Sequence, residues 1–228
     1  MAFGVSTDWF SLAVTDEIEI QSSEHSASYA TDAVAEDENG DVACRTKAGA
    51  TDEYTVTYKH HGGTAGVALD TVFGKVGARI VNGSDKIQIT GIDVSTDGKD
   101  FPSITIKGVK DPAAATAHAE YTSGITYDAD KKAQAFGATV VGDTNIISST
   151  VSISGSMAVV EDADGDVAAR EPYGVQIKGS HSLQICVGAP SATASAGYTL
   201  DSPIGRSESN TGYDTAVCEV FKDLAKDE

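Results

Sequence analysis

Cysteine, tryptophan and methionine are scarce in this 228-residue chain, with three, one and two residues, and proline occurs five times. Three cysteines, Cys44, Cys186 and Cys218, in odd number and without a CxxC spacing, exclude a secreted scaffold stapled by disulfides. Two of them stand in alternating apolar runs, where cysteine acts as a small buried hydrophobe, and this usage agrees with an intracellular origin. Basic side chains are also few: 16 Lys and Arg against 34 Asp and Glu leave a net charge of −18. A chain of that sign does not wrap nucleic acid, which needs clustered cations on its phosphates. It suits a soluble surface, or one that must repel phosphate. No run approaches the ~18 apolar residues of a membrane span, so no membrane partner is expected. The opening Met1-Ala2-Phe3-Gly4 has neither the basic nor the apolar region of a signal peptide. An apolar fraction of 40% excludes a disordered polyanion and predicts one large domain or two modest ones.

Catalytic motifs are missing as well. There is no Gly-x-Ser-x-Gly elbow, no glycine loop ending in Lys-Ser or Lys-Thr, and no HExxH. Acidic residues are too numerous for any carboxylate pair to stand out. A glycosidase cleft would carry several tryptophans, yet Trp9 is the single one. The expectation is a protein that is not an enzyme and takes no cofactor. Asn82-Gly83-Ser84 fits a glycosylation sequon but reads as a turn.

What the chain does contain is a duplication. Residues 33–45 (AVAEDENGDVACR) recur as 158–170 (AVVEDADGDVAAR), with nine of thirteen positions identical at a constant offset of 125. Alternating segments flank both copies, and the second needs a small gap after Gly174 to stay in phase. Period-two alternation around an Asn-Gly or Asp-Gly turn predicts an antiparallel hairpin in each copy. Their turns centre on Asp37, Asn39, Gly40 and Asp41, and on Asp162, Asp164, Gly165 and Asp166. A third hairpin is predicted between the copies, running from Lys86 to Val94, turning through Thr96–Asp100 and returning along Ser103–Lys107.

These signals predict an all-β fold, an antiparallel β-sandwich or barrel built from two related hairpin units with few short helices. The natural division is a first β unit at residues 1–112 with the central hairpin, and a second at 113–228 with a long loop and a C-terminal strand. Residues 110–130 form the seam, and the units are either tandem or merged into one domain. Asp111-Pro112 followed by an alanine-rich run is either one short helix or an extended linker. Thr193–Tyr213 reads as a long loop, and Lys222–Glu228 as a charged tail into which the last strand frays.

The acidic turns raise a calcium question. Asp162, Asp164 and Asp166, with Glu171 beyond, gather oxygen ligands of the kind hard cations take. Yet the glycine comes fourth and no glutamate stands twelfth, so the loop departs from an EF-hand, and solvated hairpin tips carry Asp and Asn for turn reasons alone. His60-His61 precede Gly62-Gly63, but neighbours on a strand point to opposite faces and rarely share one metal ion. His25 and His181 read as surface strand positions. Trp9 and Phe10, with Tyr198 and Tyr213, are candidate assembly residues, and the two N-terminal aromatics could equally be a lid over one sheet.

Two blocks together, residues 36–42 (EDENGDV) and 89–108 (ITGIDVSTDGKDFPSITIKG), resemble virion structural proteins of tailed bacteriophages, most closely a tail-tube-like subunit. The resemblance spans residues 17–190 as a style of sequence, with only those two blocks specific. It implies a β-rich protein assembled in the host cytoplasm into the virion, forming stacked homo-oligomeric rings beside other virion proteins. DNA would pass through such rings without specific binding. The duplication departs from a one-domain tube subunit and leaves open rings of six chains or of three chains with two tube-like halves each. Other readings are a capsid decoration or adhesin-like β domain, and a calcium-dependent binding module.

Overall fold

A computed structural model describes residues 8–12, 15–62, 66–82, 85–111, 119–131, 133–164, 166–185, 191–201, 205–207 and 213–227. The described residues form an all-β, sandwich-like protein whose one helix is a four-residue turn, α1 (Leu69–Val72).

The strands are β1 (Ile18–Glu36), β2 (Val42–His60), β3 (Val67–Ala68), β4 (Arg79–Asn82), β5 (Asp85–Asp97), β6 (Asp100–Lys110) and β7 (Thr126–Tyr127). They continue with β8 (Ala138–Val141), β9 (Thr144–Glu161), β10 (Val167–Ile185), β11 (Ser191–Ala194), β12 (Thr199–Leu200), β13 (Gly205–Ser207) and β14 (Asp214–Asp223). Ten of them make one antiparallel sheet in the order β1-β2-β6-β5-β9-β10-β14-β12, with β13 also on β14 and β4 on β5. The sheet runs unbroken across the two sequence units, joined where Gly91–Asp97 of β5 pairs with Ser148–Ser154 of β9.

Alternation explains this sheet strand by strand. In β2, Tyr54, Val56 and Tyr58 are buried while the residues between them are not, and Ile104 and Ile106 do the same in β6. Ile92 and Val94 of β5, Val151 and Ile153 of β9, and Val175 and Ile177 of β10 continue the layer. One core cluster thus spans both sequence units. It is closed by a thin second layer carrying Phe10, Leu69, Phe73, Val76, Tyr121, Ile125, Tyr127 and Phe136. Asp70 holds that layer together, its carboxylate accepting from the Ser123 amide and hydroxyl and from the Gly124 amide. A smaller cluster of Leu183, Ala192, Ala216, Cys218 and Val220 lies under the β8–β11 ribbon.

Several details differ from the sequence expectation. The Thr193–Tyr213 stretch is not a plain loop: it carries β12 and β13 and the end of β11. Strands of two and three residues are too short to show an alternation. The C-terminal tail does not fray. The Leu224 amide donates to the Val175 carbonyl, and Asp227 takes an ion pair from Lys75 at 2.9 Å and a hydrogen bond from the Thr122 hydroxyl. His181 is not on the surface but 1% exposed. The expected turn at Asn82-Gly83-Ser84, the alanine-rich run after Asp111, Cys186 and Gly165 lie wholly or partly outside the described residues.

Candidate assembly surfaces and acidic hairpin tips

The repeated sequence forms the ends of two long two-stranded arms. β1 and β2 pair from Ile18–His60 to Glu36–Val42, and β9 and β10 from Thr144–Ile185 to Glu161–Val167. The registers coincide at the sequence offset: Val34 opposes Arg45 as Val159 opposes Arg170. The pairing of β2 with β6 ends at Glu53, and from there the first arm continues out to Val42, about 35 Å at strand spacing.

Each tip is organised by one carboxylate. Asp37 Oδ1 accepts from the amides of Asn39 at 2.9 Å and Asp41 at 3.0 Å, while the Asp37 amide donates to the Asp41 carbonyl at 2.8 Å. Asp162 Oδ1 accepts from Asp164 at 2.9 Å and Asp166 at 3.0 Å, and its amide donates to Asp166 at 2.8 Å. The duplicated acids therefore act locally. An oxygen aimed back at two orphan amides stabilises a turn that the pleat cannot pair. Gly40 has φ of +82°, the conformation a side chain disfavours, which accounts for the glycine there. Among the described residues, no group of three or more His, Cys, Asp or Glu is placed to hold a metal ion.

The second arm carries a one-residue β-bulge at Gly174. The register shifts between Tyr173 and Gln176, with Gly174 at φ +60°. One extra residue on a strand turns everything beyond it to the other face. Hence Val159 and Arg170 share the pleat face of the core residues of β9. The first arm has an irregularity of its own at the equivalent glycine: Gly49, 125 residues before Gly174, is at φ +66°, and Ala30 and Gly49 are not paired in an otherwise regular ladder. Arg170 is 5% exposed and reaches across to the first unit, donating to the Lys110 carbonyl at 2.7 Å and the Thr51 hydroxyl at 3.0 Å. Burial pulls its pKa down, against nearby Asp111, Glu53 and Asp52. A cleft of about 380 Å³ between the arms is lined by Ala50, Asp52, Lys110, Asp166 and Val167.

The outer face of the large sheet has no covering element among the described residues. Short hydroxylated side chains pave its middle strands (Thr57, Ser95, Ser103, Thr105, Thr150, Ser152, Ser154, Ser180 and Ser182), while Lys178, Val217 and Phe221 stand on the same face toward β14. Thr57 and Thr105 hydrogen-bond across strands at 3.0 Å. Two of its lysines are held by acids, Lys107 by Asp93 at 2.6 Å and Lys59 by Asp100.

The aromatics named from sequence are dispersed. Phe10 is buried in the core, and Trp9 packs beside it against Tyr54 and His25, so both cover the sheet's inner face. Tyr198 lies between the two clusters, filling the space beside Gly137. Tyr213 is 54% exposed just before β14. His60 and His61 point to opposite sides as expected: His60 is buried on Tyr127, whereas His61 lies near Glu19 and Phe101. Sequence reasoning missed His181. Its Nε2–H donates to the Phe136 carbonyl at 2.8 Å, leaving Nδ1 to accept from the Ser149 hydroxyl at 2.9 Å. Burial lowers its pKa, and that of His60, so both are held neutral. Cys218 is buried and Cys44 exposed, and both stand as thiols.

Compared with protein-family models and with curated proteins, the chain matches none.

Proposed function

We propose that this chain is a structural virion protein of a tailed phage, assembling into rings that form the tail tube, an acidic conduit through which DNA passes without being held. The observation that carries the reading is the uncovered outer face of the ten-stranded sheet, paved with hydroxyls and with Lys59 and Lys107 paired to acids. A wall past which a polyanion slides must offer few unpaired cations, since each phosphate-bound lysine adds a salt-dependent hold. Net −18 adds long-range repulsion of phosphate. The protein carries no chemistry in this role and requires no cofactor.

Negative-stain microscopy and native mass spectrometry of the concentrated full chain test this reading. Rings or tubes are expected; monomers at every concentration would overturn it. Rings whose hydroxyl-rich sheet face points outward would favour the capsid-decoration alternative.

A further inference from the structure

The two halves of the sheet are laid side by side in the same direction. β1, β2, β6 and β5 form the first half, and β9, β10, β14 and β12/β13 stand in the same order in the second. In the first half, β6 lies between β2 and β5. In the second, β14 lies between β10 and the short strands β12 and β13. The halves meet where the last strand of one, β5, pairs with the first strand of the other, β9. Among the described residues, the same two kinds of edge end the sheet: β1, the counterpart of β9, and β12/β13, the counterpart of β5.

From this we infer that the β12/β13 edge of one copy takes β1 of a second copy in antiparallel pairing, repeating between chains the seam that β5 and β9 make within one. This rests on the ring reading and names its contact surface. A second observation supports it. Exposed edges are ordinarily guarded by lysine, proline, bulges or brevity. β1 is 19 residues long and contains no lysine, arginine or proline, and between its irregularities at Ile20–Ser22 and Ala35–Glu36 the stretch from Ser22 to Tyr29 is in regular register. Such an edge is built to be paired. Because the contact joins different edges, it is head-to-tail, and it closes into a ring when the rotation per copy divides the circle.

Hydrogen exchange read by mass spectrometry, on the full chain assembled and dissociated by dilution, tests the seam without assuming a residue register. Half of the β1 amides face away from β2. In assembled protein, exchange in peptides covering 18–29 and 199–207 should slow tenfold or more, while peptides at the tip, 36–42, stay unchanged. Rings in which β1 exchanges as fast as in free subunits would overturn the seam while leaving the ring reading standing. Monomers at every concentration would overturn both. Ser26→Pro and Ala27→Pro provide a second measure, since one of the two removes an outward amide. That variant should keep the monomer's melting temperature and lose assembly, and rings formed equally by both would overturn the seam.

Discussion

Arg170 donates through Nη1 to the carbonyl oxygen of Lys110 at 2.7 Å, and so ties the second arm to the strand end of the first sequence unit. Removing a buried, charge-assisted donor leaves its acceptors unsatisfied, at about 2–4 kcal/mol for this pair of bonds. Arg170→Ala should therefore lower the denaturant midpoint and reduce Tm by roughly 5–15 °C, at ~2–4 °C per kcal/mol in a chain this long. Arg170→Lys, which lacks the planar fork, should recover less than half. A Tm within about 1 °C of wild type would show that the brace contributes nothing.

The tip acids should behave as a matched pair. Asp37→Ala and Asp162→Ala each remove the acceptor of two turn amides at an exposed hairpin tip. Each should speed amide exchange at its own tip, leave global Tm within about 2 °C, and add to the other in the double variant, because the sites share no partner. Calcium and chelator should give the same melting curve. A gain of several degrees with calcium would revive the cation-binding reading by mass action.

His181 and His60 set an acid limit. Both have pKa values depressed by burial below the ordinary histidine value of ~6.5, and the unfolded chain therefore takes up their protons first. Their stabilising contribution is full above about pH 6.5 and falls as pH drops below it toward the folded pKa. The groups facing them do not restore the charge: His181 meets the Ser149 hydroxyl and the Phe136 carbonyl, while His60 meets Tyr127, with Glu17 and Asp130 more weakly felt. Urea midpoints should decline between about pH 7 and 5, and His181→Gln should flatten that slope. An unchanged slope in the variant would exclude His181 as its source.

Two glycines with similar φ should respond differently to alanine. At Gly77, φ is +92° and a Cβ would lie 1.9 Å from the Ala119 carbonyl, so backbone must move. At Gly40, φ is +82° but nothing lies within 4 Å. Gly40→Ala should cost about 1 kcal/mol, the conformational penalty alone. Gly77→Ala should cost at least twice that, with the excess from overpacking. Equal midpoints in a urea titration would refute the distinction.

Much of this architecture was legible in the residues. The 125-residue offset returns as identical pairing of Val34 with Arg45 and Val159 with Arg170, because a hairpin's register follows from its turn. The central hairpin was equally plain, since Ile92 and Val94 alternate with polar neighbours up to Asp97 and Gly98. What escaped was whatever depended on long-range company. His181 sits in an alternating run like any surface histidine; only Phe136, 45 residues away, makes it a core residue. β12 and β13, two and three residues long, are too short to signal themselves. Of the candidate assembly residues, Trp9 and Phe10 have aromatic character that fits core and interface alike, and the fold uses them in the core.

The bulge at Gly174 has an effect on how the duplicate can be recognised. Both arms carry a left-handed glycine at the same place in the repeat, Gly49 and Gly174, but only β10 takes an extra residue there, so the tips share one turn while the strands beneath them do not match residue for residue. Superposing the halves on their tips would leave β2 and β10 one residue out of step below Gly49 and Gly174.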